Sequence, residues 1–149
     1  MSHDVSWVTP YLRTPWVSGG RGPDCYDCWG WLRAVYADQF GIDLPEYAGV
    51  DATNDAVVSM LLTTGAQGSD WYQLVQPIHG CAVAMGHGGR ISHVGVYLEV
   101  DGGLVLHCQR DMGVVLHSVA DVKAVLKFST VTFFRHKKHS LCQSVAVEI

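Results

Sequence analysis

The spacing of apolar positions changes near the middle of the chain. Behind Asp27, the residues Trp31, Leu32, Val35, Tyr36 and Phe40 recur at helical spacing, with Asp27 suited to the N-cap and Gly41 to the C′ position. Residues 14–24 ahead of it are rich in Gly and Pro and read as a loop. The run Ile42-Asp-Leu-Pro-Glu-Tyr47 continues extended toward a second helix, starting near Thr53 and carrying Val57, Val58, Leu61 and Leu62, which Gly65 to Ser69 stops. From Trp71 onward the pattern is that of strands. Leu74–Ile78, Cys81–Met85, Ser92–Val100, Leu104–Cys108, Val114–His117 and Phe128–Arg135 are the candidates, with a short helical turn in Val119–Lys127. Residues 140–149 carry no assignment. Helices come first and an antiparallel sheet follows, which makes the class α+β, with N-terminal helices packed on the sheet.

The strongest strand, Ser92–Val100, is followed by Asp101-Gly102-Gly103, a hairpin signal. A two-residue loop would pair Val100 with Gly103 and put His107 on the face opposite His93. A three-residue loop pairs Val100 with Leu104 and Tyr97 with His107. His93, Gly95, Tyr97 and His107 then share one face, and Val94, Val96, Leu98, Leu104 and Leu106 form a uniform apolar face on the other. That uniformity predicts the three-residue loop.

At 149 residues with 48% hydrophobic content, the chain is read as one domain, 1–149, able to bury a core without metals or disulfides. Its formal net charge of −4 gives a nucleic-acid partner no electrostatic support. The basic run Arg135–His139 reads as a solvated strand end. No stretch reaches the roughly 18 apolar residues of a membrane span. The start, Met1 to Arg13, lacks the basic and apolar segments of a signal peptide, so synthesis in the cytoplasm is expected. Five cysteines, an odd number, without a secretory signal favour thiols over disulfides.

Cys28 falls in the first turn of the first helix, where free N–H groups and the helix dipole favour a thiolate and could serve an oxyanion. Cys25 lies in the preceding loop and lacks that setting. A nucleophilic thiol needs a base, and a third polar group orients the base. His93 heads the best strand, with Gly95 expected to let the Cys28 helix pack closely. His107 on the returning strand is the third member. The other histidines, His79, His87, His117, His136 and His139, read as surface or loop residues, and Trp31, Tyr36 and Phe40 as core. Cys25-Tyr-Asp-Cys28 is also a C-x-x-C, so a zinc half-site, a redox pair or a masking disulfide stand as alternatives.

These blocks resemble the NlpC/P60 family of papain-like cysteine peptidases. The matching pieces are Pro15-Trp16, Gly19-Gly20, Asp27-Cys28-Trp29-Gly30, His93-Val94-Gly95-Val96-Tyr97 and Leu106-His107, across roughly residues 14–136. The runs Gly19-Gly-Arg-Gly-Pro-Asp24, Gly41-Ile-Asp-Leu-Pro-Glu-Tyr47 and Phe133-Phe-Arg-His136 resemble the branch associated with phage tails. The resemblance implies a thiol endopeptidase acting on peptidoglycan stem peptides during DNA entry or tail-tip assembly. Cys28 would attack, His93 would be the base and His107 would orient it. Asp27, Trp16, Trp29 and Tyr97 would bind substrate, and no cofactor or metal would be needed. Phage tail-tip proteins would be its partners and the virion tail its location. A structural tail-tip component that keeps the fold as a docking module is the rival. Trp29 stands where the family commonly has Ser and Trp16 where it commonly has Tyr. The usual Pro-Gly-Asp turn is replaced by Gln76-Pro-Ile-His-Gly-Cys81.

Overall fold

A computed structural model of the chain describes residues 3–45, 71–88 and 90–139. The second helix expected from Thr53 and the stretch 140–149 lie outside the described residues. A 3-10 helix, Ser6–Tyr11, opens the chain. It is followed by α1 (Cys28–Phe40), β1 (Trp71–Leu74), β2 (Ala82–His87), β3 (Arg90–Leu98), β4 (Leu104–Gln109), β5 (Gly113–Ser118), α2 (Val119–Ala124) and β6 (Thr130–His136). The strands form one antiparallel sheet in the order β1-β6-β2-β3-β4-β5. This is the α+β architecture expected. Among the described residues no helix is long and apolar enough to cross a membrane.

Alternation along the strands splits the core between the sheet's two faces. Ala82, Ala84, Val94, Val96, Leu98, Leu106 and Cys108 pack with Trp31, Leu32, Val35 and Tyr36 of α1. Cys81, Val83, Met85, Tyr97 and Val105 form a second cluster with Val122 of α2. Helix α1 begins and ends as its sequence dictates. Asp27 caps it by accepting from the Gly30 amide, and Gly41 closes it in the left-handed conformation.

Two strand expectations shift. The first strand is Trp71–Leu74 rather than Leu74–Ile78, because Val75 is exposed and Pro77 has no amide to give a ladder. The β3–β4 hairpin pairs Leu98 with Leu104 and Gly95 with His107, two residues away from the register expected. Asp101, Gly102 and Gly103 all have positive φ, and the Gly103 amide closes a turn on the Val100 carbonyl. That turn takes Glu99 and Val100 out of the ladder. A slip of two conserves the faces, so His93, Gly95, Tyr97 and His107 do share one.

Gly95 acts differently from the expectation. The α1 helix packs on the opposite face, and a Cβ at Gly95 would lie 2.9 Å from the His107 Cβ. Its bare backbone makes room for His107, not for the helix. Gly30 is the residue that lets α1 dock. A Cβ there would run into the Gly20 carbonyl oxygen, part of the loop that the helix start rests on.

Replacing Gly30 by Ala tests this. Helix propensity alone would favour Ala by about 1 kcal/mol. The collision is with backbone, so overpacking wins, and Gly30→Ala is expected to lose about 2 kcal/mol or more of unfolding free energy in urea titrations.

Candidate active site

The helix start is held by one carboxylate. Asp27 is fully buried. Its Oδ1 accepts from the Gly30 amide at 2.7 Å and its Oδ2 from the Gly19 amide at 3.1 Å. The Arg21 guanidinium donates to both oxygens at 2.8 Å. The Asp27 amide in turn donates to the Gly20 carbonyl. Loop 19–21 and the first turn of α1 are thereby one unit, with Cys28 at its tip.

That tip enters a fork in the sheet. The Tyr97 amide donates to Cys81 next to β2, so the amides of Val96 and Val94 point the other way, toward β4. The β3–β4 ladder stops at Gly95 and His107, which leaves Val94 beyond its last pair. There the backbone amides of Val94, Trp29 and Cys28 itself favour the Cys28 thiolate. On the β4 side of the fork, the Cys108 thiol donates to the Tyr26 carbonyl at 3.4 Å.

His93 immediately precedes Val94. A bulge at Ser92, opposite the step from Met85 to Gly86, sets its direction. Its ring is stacked on Phe128 with the planes parallel and centroids 5.6 Å apart. His93 Nε2 and His107 Nδ1 are 2.8 Å apart, a buried hydrogen bond. The row continues, because His107 Nε2 lies 2.9 Å from His117 Nδ1 on β5. His117, read from the sequence as a surface residue, is thus joined to the site. The signal that could have found it is parity: His107 faces Val115 across the β4–β5 hairpin, which puts His117 on the same face.

Burial works against the charged forms of the site residues. Burial, with a smaller contribution from the Asp27 charge, pushes the Cys28 thiol up to about 12 despite the three amides that favour the thiolate. Burial also pushes His93 down to about 4. His107 falls to about 2, through burial first and then its two histidine neighbours. Desolvation thus opposes the thiolate that the helix N-terminus favours, and burial likewise opposes a charged His93.

The expected substrate-binding residues separate. Trp16 lines an open groove of about 760 Å³ together with Arg13, Ser18 and Met112, and the Arg110 guanidinium lies 4.7 Å over its ring. Trp16 also bridges Tyr26, two residues before Cys28. Asp27 is inaccessible, both of its oxygens being taken up inside the protein. Trp29 is buried and its indole N–H donates to the Pro45 carbonyl, so it packs behind the helix start. Tyr97 sits four residues along β3 from His93, in the second cluster, edge-on to Phe133. None of these three offers a surface to substrate. His136 and His139, taken for part of a solvated run, are buried against Trp71 and Phe40. Cys25, Cys28, Cys81 and Cys108 are free thiols.

An α+β domain in which one helix brings its N-terminal thiol into a fork of an antiparallel sheet has the fold of a papain-like cysteine peptidase. The profile of the "NlpC/P60 family" matches residues 13–133, and the chain belongs to that family. Among solved structures it is similar to the "NlpC/p60 domain of peptidoglycan hydrolase SagA", at 24% identity and a TM-score of 0.55, over 87% of this chain and 93% of that one. At that identity the likeness is one of fold. Comparison with curated proteins gives no match.

The neutral histidines make stability depend on pH. The unfolded chain takes up a proton on His93 near pH 6.5, whereas the folded protein refuses it until about pH 4. The stability contribution is therefore intact above pH 6.5 and is lost as pH falls toward 4, by about 3 kcal/mol for this residue. Urea midpoints measured between pH 7.5 and 4 should fall accordingly, and His93→Gln should give a shallower decline. Separately, Asp27→Ala should destabilise the fold by about 3 kcal/mol or more, because it removes the helix cap and strands Arg21.

Proposed function

We propose that the protein is a peptidoglycan endopeptidase in which Cys28 is the nucleophile, His93 the base and His107 the group that orients it. The observation that carries this reading is the 2.8 Å hydrogen bond between His93 and His107, one peptide away from the Val94 amide that favours the Cys28 thiolate. Family membership and the printed description of the similar structure, a peptidoglycan hydrolase domain, support a cell-wall peptide as substrate.

The chemistry follows from a neutral resting pair of Cys28 and His93. The Cys28 proton passes to His93 as the sulfur attacks the scissile carbonyl, so charge appears only while the C–S bond forms. The amides of Cys28 and Trp29 at the start of α1 are the donors nearest the developing oxyanion. His93 then gives its proton to the leaving amine, which departs and leaves a thioester on Cys28. Water, deprotonated by His93, hydrolyses the thioester, and the thiol is restored. The Trp16 groove, lined by a residue bridged to Tyr26 just ahead of Cys28, would hold the stem peptide, with Arg13 and Arg110 facing its carboxylates.

The tail-associated role rests on the sequence blocks shared with that branch, Gly19–Asp24, Gly41–Tyr47 and Phe133–His136. In that setting the enzyme opens the wall locally at DNA entry or acts during tail-tip assembly. Mass spectrometry of purified virions that encode the chain should find it among the tail proteins.

Purified protein incubated with peptidoglycan should release peptides with new amino termini, read by mass spectrometry. Cys28→Ala should abolish release, and His93→Ala should reduce it by about three orders of magnitude. Equal release by wild type and Cys28→Ala would overturn the enzyme reading and leave the fold as a docking module.

A further inference from the structure

We propose that His117 is a positioning residue of this site, the outer end of a hydrogen-bonded row His93–His107–His117 that fixes which nitrogen of His107 carries the proton. The inference rests on the proposed roles of Cys28, His93 and His107.

A row of neutral imidazoles has two polarities, because each ring has one N–H and one bare nitrogen. In the first, His117 Nδ1 accepts from His107 Nε2, and His107 Nδ1 accepts from His93 Nε2. His93 Nδ1 is then bare and can take the proton of Cys28. In the second, every bond is reversed, and His93 Nδ1 already carries a proton. Only the first polarity leaves His93 able to act as a base. It is also the only one that survives proton transfer, since a protonated His93 must donate from Nε2.

The structure gives His107 no freedom to choose alone. Its ring is completely buried, and its two nitrogens lie at 2.8 and 2.9 Å from the neighbouring rings. His117 differs from both of its partners in being only half-buried, on the edge strand β5. Its Nδ1 is committed to the row, and the residue as a whole keeps some contact with solvent. A proton held on the outer nitrogen of His117 makes Nδ1 an acceptor, and the inner rings follow. An apolar side chain at 117 would leave the His107 Nε2–H buried without an acceptor, and His107 would move its proton to Nδ1, against the N–H of His93.

The variants His117→Leu and His117→Asn separate this role from simple packing. Leucine fills the site without an acceptor, whereas asparagine keeps an amide oxygen near the position of Nδ1. Two readouts are needed. In ¹⁵N spectra of the histidine rings at neutral pH, wild type and His117→Asn should show His107 protonated at Nε2, and His117→Leu should show Nδ1 protonation. In peptide-release kinetics, His117→Leu should lower kcat about 10–100-fold with KM little changed, and asparagine should restore most of it. A His107 tautomer unaltered in His117→Leu, or a kcat equal to wild type, would overturn the proposal. So would an equal loss in both variants, which would mark a packing role. If wild type and Cys28→Ala are both inert, the hydrolase reading fails on its own, and the ring spectra still decide whether His117 governs His107.

Discussion

The buried carboxylate of Asp27 is the constraint on which the site depends. Four donor contacts converge on its two oxygens from the Gly19 and Gly30 amides and the Arg21 guanidinium. A charge held away from water is tolerable only when it is compensated this completely. The compensation requires the loop ahead of α1 and the first helical turn to keep one relative position. Cys28, the next residue, inherits that position. The placement of the Cys28 thiol is therefore set by electrostatics one residue away, and the helix itself contributes mainly a rigid body behind it.

The sheet supplies the other half through a place where pairing ends. A regular β3–β4 ladder would use the Val94 amide to bond its neighbour. Because the ladder stops at Gly95 and His107, that amide is left outside the pairing, where it favours the Cys28 thiolate. The pair at which pairing stops also contains His107. Gly95 opposite gives that imidazole the space it needs, so one backbone register sets the end of the ladder, the seat of the thiol and the depth of the ring.

Much of this was legible in the sequence because periodicity and capping are local. The start and end of α1, the α+β order and the shared face of His93 and His107 follow from spacing and parity alone. The hairpin register was not legible to the residue. Which glycines adopt positive φ is settled by how the turn closes, and a slip of two leaves the apolar pattern intact. The burial of Asp27, Trp29 and Tyr97 was not legible for a related reason. A residue type that suits a cleft suits a core as well, and only burial tells them apart. The protonation state of Cys28 was beyond reach too, because desolvation depends on packing from elements far away in the chain.

The burial of Cys28 bears finally on chemical durability. The thiolate is the form that peroxides and other oxidants attack. With the thiol pushed up to about 12 by burial, the thiolate is disfavoured at neutral pH. A sulfur kept as the thiol is converted only slowly to sulfenic acid. The desolvation that opposes a standing thiolate thus doubles as storage.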